Sequence, residues 1–416
     1  MASKDITERV VDSGLLPALK TFPLIVHTLL FFTFVIRFSY FMAWPFIAVI
    51  MTRNYHMTPT EIGLTMTSSA LISVILGMYG GQISDRLGRR IILLLGCGFS
   101  AVGYITLALA TGFGLFVTGL MIIGICFAWV DPPVRALMSD LLVDHRRRAL
   151  ALQLRYYLIN VAAVFGPLIG LAFGLTSQKG TFLITGLTYV PFFIYVLFYI
   201  PRGRIIAGQD ARVTQTLKLH QMVLLIARDR IFIAALLCSI LCNIVYIHYE
   251  AILPQYLLLL DGNGAVKLIT LVLVTNACSV LFFQTFIMRF LATVTLSGRI
   301  ILGGIIFAIS QFCYFSISST DIWIWLSVTC LFSMGEAILM PNLNILLDQL
   351  APPEHRGAYL GASTLSTLGV AVGPLIGGML LARTGAGVFI FTAFLSTLIC
   401  IIICACRSNL LMRTQA

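Results

Sequence analysis

The chain has 416 residues, of which 59% are hydrophobic and only 10% are charged. Soluble domains carry about 25% charged residues, so this composition excludes a water-exposed globular protein. It predicts an all-α protein that crosses a membrane many times. The net charge of +11 does not indicate nucleic-acid binding, because the cytoplasmic loops of membrane proteins are enriched in Lys and Arg.

Twelve apolar stretches are long enough to cross a bilayer, which takes about 20 helical residues. Before them, residues 1–23 mix charges with a weak apolar stripe and predict a cytoplasmic surface helix, not a cleaved signal peptide. We number the stretches spans 1 to 12. Their predicted ranges are 24–50, 60–82, 90–111, 114–140, 149–173, 181–200, 231–258, 267–291, 299–318, 321–346, 358–381 and 388–406.

The longest polar gap, 201–230, divides the spans six and six and predicts a central cytoplasmic loop. The predicted organisation is therefore an N-terminal bundle at 24–200, a C-terminal bundle at 231–406 and a tail at 407–416. With the N-terminus inside, 20 of the 27 Lys and Arg residues fall on the cytoplasmic side, counting those at the inner ends of spans, and four fall outside. This bias places both termini in the cytoplasm. The short loops predict a bacterial inner-membrane protein.

The two groups of spans are copies of one unit. The sequence GPLIG occurs at 166–170 in span 5 and again at 373–377 in span 11. Two further pairs are 208 residues apart: Pro133 with Pro341, and Asp140 with Asp348. Recurrence in the same order and orientation predicts a parallel repeat of six helices. Because glycine allows close helix approach and proline kinks a helix, a pivot between the halves is predicted at Gly166, Pro167, Gly170, Gly373, Pro374 and Gly377.

A charged loop follows span 2 and reads GGQISDRLGRR at 80–90. It resembles the loop signature of the major facilitator superfamily, G-x-[apolar]-[small]-D-R-x-G-R-[K/R], and lies where that family carries it. The resemblance implies two six-helix bundles. Because Asp85 and Arg89 lie close to the membrane surface, where a charge pair is less screened than in bulk water, the loop also predicts a latch between the halves on the cytoplasmic side. Gly88 is expected to permit a tight turn. The residues that match are Gly81, Asp85, Arg86, Gly88, Arg89 and Arg90.

Spans 1, 4, 5 and 10 are similar to those of twelve-helix drug/proton antiporters. The similar segments are WVDPPVRALMSDLL in span 4, GPLIG in span 5 and SMGEAILMPNLNILLDQL in span 10. Within that group, proton-coupled multidrug exporters carry a membrane arginine in span 1 and a Gly-Glu pair in span 10. Arg37 and Gly335-Glu336 occupy the matching places. The resemblance implies a proton-coupled exporter of lipophilic or amphipathic molecules.

Ionisable groups inside spans are costly and mark candidate sites. Six are predicted to take part in proton coupling or substrate binding, and five of them lie on spans 1, 4, 7 and 10, which line the central cavity in the resembling fold. Because desolvation favours the neutral form of a carboxyl group, Glu336 is the first candidate for proton coupling or cation recognition. The six residues are Arg37, Asp131, Arg135, Arg155, Glu250 and Glu336.

Asp131 and Arg135 are four residues apart on one helical face and are predicted to pair. Arg155 is expected either to join a network with Asp131 or to bind an anionic group, and Arg37 to be the counter-ion of a carboxylate. For Glu250, nearer the outer end of span 7, a structural and a functional role both stay open.

The favoured function is a proton-coupled secondary transporter that works by alternating access, and the protein is expected to be a monomer in the bilayer. A dedicated transporter of one metabolite, such as a siderophore or organic anion, is the alternative, because three arginines lie within spans. Sodium stays open as the coupling ion. No cofactor or metal site is expected, and no motif of an intramembrane enzyme is present in a suitable context.

Overall fold

A computed structural model describes residues 22–142, 144–173, 179–201, 226–262, 264–352 and 356–406. Within these ranges, the side chains of 77–87, 125–128, 145–146, 285–289, 292, 356–358 and 360 are not described. Residues 1–21, most of the predicted central loop and the predicted tail also lie outside the description.

The described residues contain twelve helices long and apolar enough to cross a membrane, so the predicted number of spans is confirmed. Every regular element in these residues is helical. Spans 2 to 6 are Pro59–Leu87, Arg89–Leu109, Phe113–Leu141, His145–Ala172 and Gly180–Tyr199. Spans 8, 9, 10 and 12 are Ala265–Phe290, Leu296–Ser316, Ile322–Gln349 and Gly387–Ala405. The other three are interrupted: span 1 is Leu24–Ala43 and Ile47–Tyr55, span 7 is Arg230–Ile247 and Leu253–Leu260, and span 11 is Arg356–Ser363 and Leu368–Thr384.

The interruptions of spans 1 and 7 lie at prolines. Span 1 tightens into a 3-10 turn at Trp44–Phe46, which contains Pro45. Span 7 widens into a π turn at His248–Ile252, directly before Pro254 in the next helix. Proline has no backbone N–H to donate to the preceding turn, and a π turn accommodates such a defect within a helix. In span 7 the widened turn carries Glu250, so the irregular backbone coincides with a charged side chain.

Two hydrophobic clusters form the interior. One is built from residues between Phe22 and Ile200, and the other mainly from residues between Phe232 and Ile403. Phe46 and Val49 of span 1 are the members of the second cluster that come from the first half. The two clusters follow the sequence repeat, because each six-helix copy buries its own apolar faces.

The halves meet closely where spans 2 and 11 cross near the predicted outer end. A Cβ atom built on Gly63 would lie 3.0 Å from the carbonyl carbon of Pro374 and 3.1 Å from the Cα of Leu375. The backbone N–H of Leu375 donates to the Thr67 hydroxyl at 3.0 Å. At the same end, Arg53 donates to the carbonyl of Gly262 in the other half. The halves are therefore in contact at the predicted outer end.

We expect Gly63→Ala to separate spans 2 and 11 at this end, because the added methyl group would overlap the backbone of Pro374. Overpacking of this kind costs about 1–3 kcal/mol, which shifts a two-state equilibrium roughly 5- to 150-fold. Spin labels at Thr58 and Arg383, in a background without native cysteines, measure the separation. Gly114→Ala is the matched control, since a Cβ at that position of span 4 meets nothing within 4 Å. An unchanged distance distribution in Gly63→Ala would contradict the close contact.

The predicted pivot residues pack against neighbouring helices. In span 5, a Cβ on Gly166 would lie 2.8 Å from the carbonyl oxygen of Phe38 in span 1. In span 11, a Cβ on Gly377 would lie 2.6 Å from the His248 ring of span 7. Gly373 faces span 7 in the same way, Gly170 is buried, and Pro374 faces span 2. Their role as a pivot stays a prediction, but each glycine contact explains why a larger residue does not fit.

Candidate functional site

A cavity of about 550 Å³ lies between the two halves. Its walls come from spans 1 and 5 of the first half and from spans 7, 8 and 10 of the second. Six aromatic side chains contribute to the wall, and the ring of Tyr40 stacks on Trp44 with centroids 5.5 Å apart. Such walls suit an apolar or aromatic ligand. The aromatic lining residues are Tyr40, Phe41, Trp44, Tyr156, Tyr246 and Tyr249.

Two carboxyl groups face this cavity, and both come from the second half. Glu250 is presented by the π turn of span 7, and its Oε1 accepts a hydrogen bond from the Tyr246 hydroxyl at 2.6 Å. The Oε2 of Glu336 in span 10 accepts a hydrogen bond from the Asn276 amide at 2.8 Å. The two carboxyl groups line the same cavity. Neither forms an ion pair among the described residues, so both are available to a proton or a cationic ligand.

Span 8 supplies neutral polar groups to the same cavity. The Asn276 amide also donates to the Ser333 hydroxyl at 2.9 Å, which fixes it beside Glu336. Gln284, one of the cavity-lining residues, accepts a hydrogen bond from the Tyr156 hydroxyl at 3.0 Å. That bond joins the two halves. The sequence analysis did not single out Asn276 or Gln284, because neutral polar residues in an apolar helix carry a weaker signal than charges.

The other four predicted charges come together inside the first half. The Oδ1 of Asp131 accepts hydrogen bonds from Arg37, at 2.8 Å, and from Arg155. Its Oδ2 lies 3.2 Å from the Nε of Arg135, which completes the predicted pair one helical turn apart. Arg37, Asp131 and Arg155 are largely buried, whereas Arg135 is about half exposed. We call these four residues the N-half cluster.

The expectation that span 4 lines the central cavity is not met by its described residues. Asp131 and two arginines, Arg37 and Arg155, line a separate, small cavity within the first half, together with Tyr104 and Tyr189. The physical reason is local: the first half supplies all the partners that Asp131 needs, so the group is satisfied without reaching the central cavity. Tyr40 lines both cavities.

The charged loop after span 2 is described only in part. Gly81, Asp85 and Arg86 belong to the segment 77–87, whose side-chain surroundings are not described. The predicted latch therefore stays a prediction. Gly88 has φ +93°, a conformation that favours glycine, and the predicted tight turn is present. Arg89 lies 3.2 Å from Asp140 at the end of span 4, and Arg90 donates to the carbonyl of Leu197. Asp140 marked the repeat in the sequence but was not predicted to pair with Arg89.

Comparison with known proteins agrees with this architecture. The chain is 28% identical over 360 residues to the uncharacterized MFS-type transporter YqjV of Bacillus subtilis, covering 86% of each chain. It is 22% identical over 364 residues to the quinolone resistance protein NorA of Staphylococcus aureus, covering 83% of this chain and 89% of NorA. A crystal structure of a POT family transporter in complex with 5-aminolevulinic acid superposes with a TM-score of 0.74 at 17% identity. That match covers 93% of this chain and 97% of the other, and it supports the fold alone.

The family model of the Major Facilitator Superfamily matches residues 29–367. This range includes the charged loop after span 2, the N-half cluster, and the two carboxyl groups of the central cavity. It ends within span 11. The twelve spans and the repeat accord with the match. The chain belongs to the Major Facilitator Superfamily and is a multi-pass membrane transporter.

Proposed function

We propose that the protein is a proton-coupled antiporter that exports lipophilic or amphipathic cations. The observation that carries the proposal is the central cavity, in which aromatic walls surround two carboxyl groups that lack an ion-pair partner among the described residues. A large organic cation fits such a site because rings contact the apolar part of the ligand and a carboxylate neutralises its charge. The similarity to a quinolone resistance protein adds support.

Coupling follows from competition at one carboxyl group. Glu336 binds a proton or a cation but not both, so a cation leaves the site when a proton arrives. The two halves rock around the cavity, with the segment 201–230 as the connection between them. In this proposal the protein resides in the bacterial inner membrane, where an ion gradient is available to drive export.

The alternative of a dedicated transporter for an organic anion is less well supported by the site. None of the described residues that line the central cavity is an arginine or lysine. Arg37 and Arg155 line the separate small cavity and are bound to Asp131. An anionic substrate in the central cavity would therefore face carboxyl groups, which disfavour it by like-charge repulsion.

Purified protein in liposomes that enclose a pH-sensitive dye tests the proposal. We expect several unrelated lipophilic cations to trigger proton movement across an imposed pH gradient, and anionic metabolites to trigger none. Repeating the assay with a sodium gradient and no pH gradient identifies the coupling ion. A response to one anionic metabolite alone would contradict the proposal and support the dedicated transporter.

A further inference from the structure

We propose that the small cavity within the first half is a binding site for a small monovalent anion such as chloride, held by Arg37 and Arg155. The site is separate from the central cavity and does not depend on the proposed export of cations. Four observations carry the inference: the charge balance of the N-half cluster, an unpartnered guanidinium nitrogen, the size of the cavity, and a comparison between the two repeats.

The N-half cluster carries more positive than negative charge. Three guanidinium groups surround the one carboxylate of Asp131. Because Arg135 is about half exposed, the buried part of the cluster has a formal surplus of one positive charge. Both oxygens of Asp131 are already engaged, Oδ1 by two arginines and Oδ2 by the third. Buried charge is costly unless it is compensated. A bound anion would compensate this surplus at the place where it is buried.

One nitrogen of the cluster has no partner. The side chain of Arg155 is more than nine-tenths buried, and its Nη2 binds Asp131. Its Nε has no hydrogen-bond acceptor within the part of the chain that the structure describes. An unsatisfied donor on a buried charged group is costly and rare in folded proteins. Because Arg155 lines the small cavity, an acceptor in that cavity would meet this need.

The cavity selects a small ligand. Its volume is about 40 Å³, and one water needs roughly 10–15 Å³ on the same measure, so an ion of halide size fits and a large organic anion such as gluconate does not. Tyr40 lines both this cavity and the central one, and the Arg37 guanidinium lies 5.7 Å from the centre of that ring. The site therefore takes a small free anion, because Arg37 and Arg155 line this cavity and do not line the central one.

The second repeat shows that helix packing does not need these charges. At the repeat offset of 208, Asp131 corresponds to Leu339 and Arg135 to Leu343. At the offset of 207 found for GPLIG, Arg155 corresponds to Ala362. All three counterparts are buried apolar residues. One copy of the unit thus folds around an apolar core at the place where the other holds a charge cluster, so the charges serve a function other than packing.

Halide binding to the purified full-length protein tests the inference. We expect the ³⁵Cl NMR line of dilute sodium chloride to broaden in the presence of the protein and to narrow when excess bromide is added. At constant ionic strength, chloride and bromide are expected to raise the Tm saturably relative to gluconate, which is too large for the cavity. Arg155→Gln is expected to lose both effects, Arg155→Lys to keep part of them, and Arg383→Gln, an exposed arginine elsewhere, to keep them in full.

Two results would overturn the inference. One is a ³⁵Cl line width that is the same with and without the protein, together with a Tm that chloride does not change. That result would mean that only water occupies the cavity. The other is broadening of the same size in Arg155→Gln, which means that chloride binds elsewhere. If Arg155→Gln does not fold, crystals of the unmodified protein grown in bromide decide the matter: an anomalous peak beside Arg37 and Arg155 supports the site, and no peak there rules it out.

Discussion

Replacing Glu336 by glutamine is expected to abolish proton-driven export and to weaken cation binding roughly 30-fold or more. Glutamine has nearly the same shape, and its carbonyl oxygen still accepts the hydrogen bond that Asn276 donates at 2.8 Å. It takes up no proton and carries no charge, however. The loss of a buried charge partner costs about 2–5 kcal/mol, and each 1.4 kcal/mol is a factor of ten in affinity.

The effect is measured as cation uptake into everted vesicles or liposomes under an imposed pH gradient, with equilibrium binding of the same cation in detergent. Glu250→Gln is the comparison within the same cavity. We expect it to retain partial coupling, because Glu336 remains in the cavity to bind the proton. Glu61→Gln, at an exposed site on span 2, controls for surface charge. Full coupling in Glu336→Gln would show that the proton is carried elsewhere.

Asp131→Asn is expected to destabilise the protein by about 3–5 kcal/mol, because it leaves three arginines without their shared carboxylate. Removing one partner of a buried ion pair lowers the free energy of unfolding by about 3–5 kcal/mol, because an uncompensated buried charge remains. The Tm in detergent, followed by intrinsic fluorescence, reports the loss. The double variant Asp131→Asn with Arg155→Gln is expected to recover part of it, because the second substitution removes one of the surplus charges.

The matched control for this variant is Asp144→Asn. Asp144 pairs with Arg147 at 3.6 Å, and both side chains are about half exposed. Exposed pairs contribute about 0–1 kcal/mol, so the Tm of this variant should stay close to that of the parent. Equal stability of Asp131→Asn and Asp144→Asn would contradict the assignment of the N-half cluster as a buried charge network.

Much of the fold was predictable from the sequence, because length, hydropathy and charge bias are properties of whole segments. The twelve spans and the recurrence of GPLIG were visible without coordinates, and the turn at Gly88 followed from the residue type. The pair between Asp131 and Arg135 followed from their spacing on one helix. These features depend on local sequence, so the surrounding structure did not have to be known.

The division of the charges into two separate sites was not predictable. Which cavity a side chain enters depends on the rotation and kinking of its helix, and span 4 carries two prolines, Pro132 and Pro133, directly after Asp131. The π turn that presents Glu250 depends on Pro254 and on the neighbouring helices together. The partners of Glu336 and Arg89, Asn276 and Asp140, lie 60 and 51 residues away in sequence. Tertiary packing decides such contacts.

Competition between a proton and a cation at Glu336 is the central claim, and proton release on binding tests it most directly. Purified protein is placed in weakly buffered detergent near neutral pH with a pH indicator dye, and a lipophilic cation such as tetraphenylphosphonium is added. The account predicts that the unmodified protein releases protons in proportion to the cation bound, and that Glu336→Gln releases none. Saturable cation binding to the unmodified protein without proton release, or equal release from Glu336→Gln, would contradict it.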